Sequence, residues 1–262
     1  MNEQSKRNKI AWEYRAYEYW NKRYGTPQKL AGQIVENPIA QLKKHKDYFK
    51  HIEGKKVANL CGSNGRKAVP IALLGADVTV FDISKENKQY ALELARYAKT
   101  NIDYIVTDIY EIDLSAYQSY FDVLYLEGGI LHYFDDIEKL MSILYALLKT
   151  DGKMILSDFH PLRKCVLADS KKISYFENKH LQLGDLAYKD FFDEAEQTDF
   201  PSVSVRLYTL SDIINAVIGS GFQLKKNLMN TAAGVARIYL GNLRYLRKSI
   251  NKKFINLKGE TK

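Results

Sequence analysis

A loop of small residues between two apolar runs is the first stretch of the chain that could bind a ligand. Val57–Leu60 predicts a buried strand, Cys61–Gly65 is a turn, and residues 66–74 carry apolar side chains at helical spacing. Small residues let the backbone approach a ligand, and the N–H groups that begin the helix favour polar or anionic groups. Asp82 ends the next apolar run, 17 positions after Gly65, where a carboxylate can accept hydrogen bonds from ribose hydroxyls. These features predict a site for an adenosine, and a β-α-β unit that binds nothing is the alternative.

The elements that must position this site follow from the order of apolar runs. Five runs that predict strands alternate with stretches of helical periodicity, and two further strands are predicted from Phe222 and over Val235–Leu240, paired antiparallel. The pattern predicts an α/β fold with a doubly wound, mostly parallel seven-stranded sheet and helices on both faces. In such sheets ligands bind beyond the carboxyl ends of the strands.

Two more strand ends carry polar groups or glycines. Asp108 and Ile109 follow the third predicted strand, where a turn-forming aspartate is the alternative reading. Glu127 and Gly128 follow the fourth strand. His132, a few residues on, is a candidate general base because an unperturbed imidazole titrates near neutrality.

The ordered set of these motifs, over roughly residues 50–160, resembles the class I (Rossmann-like) S-adenosylmethionine-dependent methyltransferases of the small-molecule type. That family carries an acid followed by glycines at alternate positions. This chain has Asn59 in place of the acid, and Cys61 and Ser63 in place of two glycines. The resemblance implies S-adenosylmethionine as cofactor and S-adenosylhomocysteine as its product. It implies cofactor contacts from Asn59, Leu60, Cys61, Gly62, Ser63, Gly65, Asp82, Ile83, Asp108, Ile109, Glu127 and Gly128.

Aromatic side chains at the N-terminus and after the fifth strand predict an acceptor pocket. In the resembled family, N-terminal helices close over the cofactor, and aromatic rings attract the sulfonium cation. Residues 1–9 are expected to be frayed, and helices are predicted over residues 10–24 and 38–50. The alternative to a lid is that the helix over 10–24 only packs on the sheet. The stretch from 162 to 206 lacks periodicity and is interpreted as a substrate cap, with a mobile loop as the alternative. The predicted pocket residues are Tyr14, Tyr17, Tyr24, His132, Tyr133 and His160.

Several reaction types are disfavoured by the residues present. The stretch Glu127–Ile130 lacks the tetrad that exocyclic-amine methylation of bases uses. Base-carbon methylation needs a nucleophilic cysteine, but Cys61 belongs to the predicted cofactor loop and Cys165 has no recognisable partner. Asp158 and His160 alone are a weak basis for a metal, so no metal is predicted. What remains is O- or N-methylation of a small, partly apolar molecule.

Composition bounds the partners and the compartment. The net charge of +8 is uneven: residues 223–262 hold ten Lys or Arg and one Glu, which gives +9, so residues 1–222 sum to −1. The basic tail is interpreted as a solvated segment, with nucleic-acid and membrane-surface contact as less favoured alternatives. Two cysteines far apart and no apolar run of membrane-spanning length predict a cytoplasmic protein. The expected oligomeric state is a monomer or homodimer.

The same patterns divide the chain into five predicted parts. A helical lid (1–50) precedes the cofactor-binding core (51–161), the cap (162–206), the end of the sheet (207–241) and the tail (242–262). Two functional alternatives remain open: an RNA- or ribosome-directed methyltransferase recruited by the tail, and a cofactor-binding sensor or scaffold without catalysis.

Overall fold

One large sheet brings the predicted ligand-facing loops to a common edge. The computed structural model describes residues 1–162, 175–176, 181–230 and 235–242, with 225–230 and 235–242 as backbone only. The strands of the main sheet are β1 Lys56–Leu60, β2 Asp77–Asp82, β3 Asp103–Val106, β4 Phe121–Glu127, β5 Leu148–Phe159, β8 Phe222–Asn230 and β9 Val235–Asn242. Their order across the sheet is β3-β2-β1-β4-β5-β9-β8.

Parallel pairing holds for five of these strands, not for seven. β1 pairs in parallel with β2 and β4, β2 with β3, and β4 with β5. β9 pairs antiparallel with β8, because the four residues 231–234 that join them are too few for the crossover that parallel strands need. β9 also pairs antiparallel with β5. The predicted α/β architecture is therefore present, and its parallel part comprises five strands.

Helices pack on both faces of this sheet and form two apolar cores. One core joins the N-terminal helices and α6 to β1 and β2, with Ile34 and Leu94 fully buried. The other joins α8 and α10 to β4 and β5, with Leu140 and Val217 fully buried. The α-helices are α1 Glu3–Glu13, α2 Ala16–Tyr24, α3 Pro27–Glu36, α4 Pro38–Gln41, α5 Ala68–Leu73, α6 Lys85–Tyr97, α7 Leu114–Tyr117, α8 Ile137–Leu147, α9 Glu194–Gln197 and α10 Leu210–Gly219.

The N-terminal segment differs from the expected frayed end followed by one helix over residues 10–24. Asn2 caps α1 by accepting a hydrogen bond from the backbone N–H of Ser5, and Arg15, at φ 53°, separates α1 from α2. Asn8 is buried and joins α1 to residue Ser204, whose backbone N–H donates to the Asn8 Oδ1 at 2.7 Å. The sequence of α1 is polar because its buried side chains make tertiary hydrogen bonds, which a local pattern does not reveal.

A second difference concerns residues 25–50. α3 was not expected, and the helix predicted over 38–50 is instead the short α4 followed by a 3₁₀-helix, Lys43–Phe49. Lys43 adopts φ 50°, which interrupts a continuous α-helix at this point.

The described part of residues 162–206 packs on the N-terminal helices. β6 Gln182–Gly184 and β7 Val203–Val205 pair antiparallel as a second, two-stranded sheet. Tyr188 donates a hydrogen bond to the carbonyl of Tyr14 at 2.6 Å and stacks on Tyr19 at 4.4 Å. Since these contacts are between distant segments, the lost periodicity does not exclude a packed cap.

The predicted basic tail lies, from residue 243 on, outside the described residues. Within the described ranges, no helix combines the length and the apolar character that a membrane crossing requires.

Candidate functional site

The loop after β1 keeps the backbone geometry of a glycine-rich turn with glycine at only one of three positions. Cys61, Ser63 and Gly65 all have positive φ, at 51°, 54° and 76°. For a residue with a side chain, this left-handed conformation costs about 1–2 kcal/mol. The replacements for glycine are therefore accommodated at an energetic cost, and the turn is not lost.

Two side chains from neighbouring strands hold Ser63 in this conformation. The backbone N–H of Ser63 donates to the Asp82 Oδ2 at 2.9 Å, and the Tyr104 hydroxyl donates to the Ser63 carbonyl at 2.8 Å. Burial raises the pKa of Tyr104 well above its ordinary value, with the Asp82 charge adding to the effect, so the hydroxyl remains a donor. Tertiary contacts therefore stabilise the loop where its own residue types do not.

The two true glycines of the loop core stay because there is no room for a side chain. A Cβ at Gly65 would lie 2.7 Å from the Cβ of Ala91 on α6, and a Cβ at Gly62 would lie 2.6 Å from the Val80 side chain. Asn59, in the position of the family's acid, donates from Nδ2 to the carbonyl of Tyr125 at 3.2 Å and so links β1 to β4.

The ends of β2 and β3 fit the predicted nucleoside. The buried Asp82 carboxylate accepts from the N–H groups of Ser63 and Ser84 and from the Nδ2 of Asn87. The backbone N–H of Ile83 adds to these donors, and together they fix the carboxylate at the end of β2, where a ribose hydroxyl could share one of its roughly four acceptor positions. Burial raises the pKa of Asp82, although these donors oppose the shift.

Asp108 supplies a second indication that this edge fits a nucleoside. Its Oδ1 accepts from the backbone N–H of Tyr110 at 3.0 Å, and its Oδ2 is buried without a hydrogen-bond partner among the described residues. A buried acceptor without a donor is costly unless a ligand supplies one. Three other residues predicted to contact the cofactor are apolar. The side chains of Leu60 and Ile109 are buried in the apolar core, and Ile83 is half-buried.

The end of β4 carries a cluster of charged and polar groups. Glu127 Oε2 accepts from the Tyr125 hydroxyl at 2.8 Å and lies 3.3 Å from the Lys67 Nζ. The Tyr125 hydroxyl in turn lies 2.8 Å from the Nδ1 of His45, which is fully buried. Burial raises the pKa of Glu127, but Lys67, His45 and Tyr125 outweigh that effect and leave the pKa below its ordinary value.

The loop after β4 is fixed by a buried aspartate on β5. Asp158 Oδ2 accepts from the backbone N–H groups of Ile130 and Leu131, each at 2.8 Å. This places His132 against the ring of Tyr133, with centroids 4.1 Å apart. The backbone N–H of Arg206 donates to the carbonyl of His132 at 2.7 Å, so the loop is also tied to the cap.

Tyr133 lies at the centre of the predicted acceptor side. Burial, together with the nearby Asp158 and Cys61, raises the pKa of its hydroxyl. Trp12 of α1 packs edge-on against the Tyr133 ring, with centroids 5.5 Å apart. His160, also predicted here, is buried and accepts from the backbone N–H of Leu162 at its Nδ1.

The three predicted N-terminal tyrosines do not come together. Tyr17 donates to Glu93 of α6 at 2.6 Å and therefore faces that helix. Tyr14 packs edge-on against Phe200 of the cap, and Tyr24 lies under the Arg66 guanidinium, 5.0 Å from its ring centroid. Of these, only Tyr24 lies beside the loop after β1.

Sequence reasoning did not identify five residues that shape this site: Trp12, His45, Lys67, Tyr104 and Tyr125. Lys67 lies two positions after Gly65, and Tyr125 precedes Glu127 by the two positions that place both side chains on one face of a strand. No local signal points to His45, which comes from a 3₁₀-helix. Among the described residues, no group of three His, Cys, Asp or Glu side chains is arranged to hold a metal ion.

Comparisons with known proteins identify a methyltransferase domain in the sequence and methyltransferases among proteins of similar fold. Residues 60–156 match a family model described as a methyltransferase domain. No curated protein sequence is significantly similar to the chain.

Three of the similar solved structures extend over most of this chain. A magnesium protoporphyrin IX methyltransferase from Synechocystis PCC 6803, with bound S-adenosylhomocysteine, is 16% identical, has a TM-score of 0.60, and the match covers 92% of this chain and all of that one. An S-adenosylmethionine-dependent methyltransferase from Mesorhizobium loti is 18% identical, with a TM-score of 0.58 and coverage of 79% and 100%. One from Methanosarcina mazei is 15% identical, with a TM-score of 0.54 and coverage of 73% and 93%.

The left-handed conformation of Ser63 gives a first prediction. Ser63→Val should lower the free energy of unfolding by about 1 kcal/mol, because a β-branched side chain disfavours positive φ more strongly than serine does. It should also weaken binding of S-adenosylhomocysteine, measured by titration calorimetry, whereas Ser63→Gly should bind at least as tightly as the wild type.

Ser119 provides the matched control, since it has φ 53° in the turn before β4. Ser119→Val should lose similar stability and retain full affinity. Equal affinities of the two valine variants would contradict a role of the Ser63 backbone in holding the ligand.

The burial of Lys67 gives a second prediction, on pH. Burial lowers the pKa of Lys67 to about 8, although Glu127 opposes the shift, whereas a lysine in an unfolded chain has a pKa of about 10.4. Between these values the unfolded state binds more protons, so the free energy of unfolding increases with pH. For Lys67 alone the increase from pH 7 to pH 9 is about 1 kcal/mol.

Urea denaturation at pH 7 and pH 9 measures this increase. The difference between the wild type and Lys67→Met should grow by that amount over the interval, because methionine removes the titrating group. The exposed Lys29→Met, which removes a lysine from the surface, is the matched control variant. An identical pH dependence for the wild type and Lys67→Met would show that Lys67 is not perturbed by burial.

Proposed function

We propose that this chain, whose residues 60–156 match a methyltransferase-domain model and whose fold is that of S-adenosylmethionine-dependent methyltransferases, methylates an oxygen or nitrogen atom of a small, partly apolar organic molecule. The observation that carries this proposal is the aromatic contact between Trp12 and Tyr133 beside Cys61 and Asp158 at the strand ends. An aromatic wall next to the reacting centre suits an apolar acceptor and a site without water.

The described residues fit S-adenosylmethionine at the ends of β1 and β2. In this proposal the loop from Cys61 to Gly65 contacts the cofactor through its backbone, Asp82 accepts from the ribose, and the Asp108 Oδ2 accepts from the adenine amine. Glu127 and Gly128 border the methionine end, and a Cβ built at Gly128 meets only open space. When bound, S-adenosylmethionine supplies an electrophilic methyl carbon attached to a sulfonium.

The roof over the acceptor side favours a small acceptor. Asn8 donates to the carbonyls of both Tyr133 and Ser204, so α1 and β7 are held directly over the loop after β4. Arg206 binds the carbonyl of His132 from the same side. A folded RNA would have to displace these elements, whereas a small molecule would not. The Synechocystis neighbour, by its name, acts on magnesium protoporphyrin IX, so this fold serves a small organic acceptor in that protein.

The side chains beside the acceptor favour transfer to oxygen or nitrogen. Burial raises the pKa of the Cys61 thiol well above its ordinary value, and Asp82, Asp108 and Asp158 add to the shift, so this thiol is a poor nucleophile. His132 is the proposed general base for an acceptor whose nucleophilic atom carries a proton. Its ring lies next to two aromatic rings, with centroid distances of 4.1 Å to Tyr133 and 6.4 Å to Phe159.

The two alternative functions are less well supported. Residues 243–262, on which recruitment of RNA would depend, lie outside the described residues. The non-catalytic reading was motivated by the replaced glycines, but Cys61 and Ser63 keep the glycine backbone conformation, so these replacements no longer favour a sensor over an enzyme.

Labelled methyl transfer tests the proposal. The protein is incubated with methyl-labelled S-adenosylmethionine and a cell extract separated into small-molecule, RNA and protein fractions. The label should enter the small-molecule fraction. Label in the RNA fraction, lost on deletion of residues 243–262, would establish the RNA alternative instead, and no transfer with intact cofactor binding would establish the sensor.

Asp82→Ala tests the proposed cofactor site, with S-adenosylmethionine affinity measured by titration calorimetry. It should weaken S-adenosylmethionine binding by at least about 1 kcal/mol, the scale of a lost buried hydrogen bond. Asp77→Ala is the matched control, because Asp77 begins the same strand at its opposite, exposed end. Unchanged affinity in Asp82→Ala would mean that the ribose is not bound at this strand end.

A further inference from the structure

Lys67 and Glu127 form an ion pair at the place where β1 and β4 end. Lys67 lies two positions after Gly65, just before α5, and the register that pairs Asn59 with Tyr125 brings Glu127 level with Cys61. The Lys67 Nζ and the Glu127 Oε2 lie 3.3 Å apart, with side chains 10% and 21% exposed. The pair therefore lies beside the loop and is still reached by solvent from the Glu127 side.

The charges around this pair do not balance. Lys67 is influenced by one carboxylate, Glu127, and by two cations, Arg66 and Lys43. On the other side, Glu127 faces Lys67 and His45 and accepts from the Tyr125 hydroxyl. The described groups thus present more positive than negative charge, which favours a second carboxylate from a ligand.

Both partners also retain hydrogen-bonding capacity. The Lys67 ammonium has three donors and uses one on the carbonyl of Gln41 at 2.7 Å and one toward Glu127. The Glu127 Oε1 lies 3.5 Å from the His45 Nδ1, which is beyond a good hydrogen bond. Counting only the residues that the structure describes, one Lys67 donor and the Glu127 Oε1 therefore remain for a ligand.

We propose that Lys67 and Glu127 bind the two charges at the methionine end of the cofactor, with the Lys67 ammonium on the α-carboxylate and the Glu127 carboxylate on the α-ammonium. The inference rests on the proposed function, because it requires the nucleoside to lie along the same loop. An α-amino acid group carries both charges on one carbon, so a fixed ion pair with one free donor and one free acceptor is complementary to it.

A purely structural role for the pair explains these observations less well. Burying an ion pair costs several kcal/mol of desolvation and is often no more stable than apolar packing. Burial also lowers the pKa of Lys67 to about 8, so the charged form of this lysine is destabilised in the folded protein. Its described partners are the carbonyl of Gln41 and the carboxylate of Glu127. Such a perturbed group in a cleft is typical of a ligand-binding site.

Two thioethers that differ only at the methionine end test the proposal. S-adenosylhomocysteine carries the amino acid group, and 5′-methylthioadenosine has the same adenosine with a methyl group instead. Titration calorimetry with the full chain measures the affinity of both for the wild type, Lys67→Met and Glu127→Gln. The exposed Lys29→Met is the control for loss of a lysine charge.

The expected result is selective. Lys67→Met should weaken S-adenosylhomocysteine about tenfold or more, the range of a lost charged hydrogen bond, and leave 5′-methylthioadenosine within about twofold. Glu127→Gln should show the same selectivity, which keeps the test informative if Lys67→Met does not fold. Lys29→Met should bind both ligands like the wild type.

Three results would overturn the proposal that Lys67 and Glu127 bind the amino acid group. Equal weakening of both ligands would mean that Lys67 only shapes the loop, and no weakening would mean that it does not reach the ligand. Equal affinity of the wild type for the two ligands would show that the amino acid group contributes nothing, while the nucleoside site would stand. A wild type that binds neither ligand would instead refute the cofactor site on which the inference rests.

Discussion

The carboxylate of Asp82 is the interaction on which the arrangement of the site depends. It accepts hydrogen bonds from Ser63 in the loop after β1, from Ser84 at the start of α6 and from Asn87 within that helix. One buried group thereby fixes the end of β2, the left-handed loop and the helix against which Gly65 packs. In the proposed function the same carboxylate also accepts a hydrogen bond from the ribose, so one group would both fix the loop and bind the ligand.

Electrostatics divide the site along the carboxyl edge of the sheet. Asp82, Asp108 and Asp158 end three strands around Cys61, whose pKa is raised mainly by burial and further by their charges. On the other side of the loop, Lys67, Arg66 and Lys43 outnumber Glu127. The acidic side suits an adenosine and a sulfonium, and the basic side suits a carboxylate. The orientation proposed for the cofactor follows from this asymmetry.

Much of the fold could be predicted from the sequence where the signal is local. The alternation of apolar runs and helices predicted the sheet, and the acids at the ends of β2 and β3 followed from strand order. The sheet was predicted to be mostly parallel with its last two strands paired antiparallel; β8 and β9 do pair in this way, β9 is also antiparallel to β5, and the parallel part comprises five strands. α1 escaped prediction because its buried Gln4 and Asn8 are polar and bond to Ser204, about 200 residues away.

The site itself was predictable only in part, for the same reason. Cys61 and Ser63 weaken a glycine motif when judged alone, and only Tyr104 and Asp82 show how Ser63 keeps its conformation. Tyr17 was expected at the acceptor, yet a glutamate on α6 binds its hydroxyl. His45 reaches Tyr125 from 80 positions away, and no spacing in the chain indicates that contact.

The most direct measurement of the central claim is a crystal structure of the chain grown with S-adenosylhomocysteine. The account predicts the ribose within hydrogen-bond distance of the Asp82 carboxylate and the adenine amine within hydrogen-bond distance of the Asp108 Oδ2. Well-defined density for the ligand at any other part of the molecule, with the ends of β1 and β2 closed to it, would contradict the account.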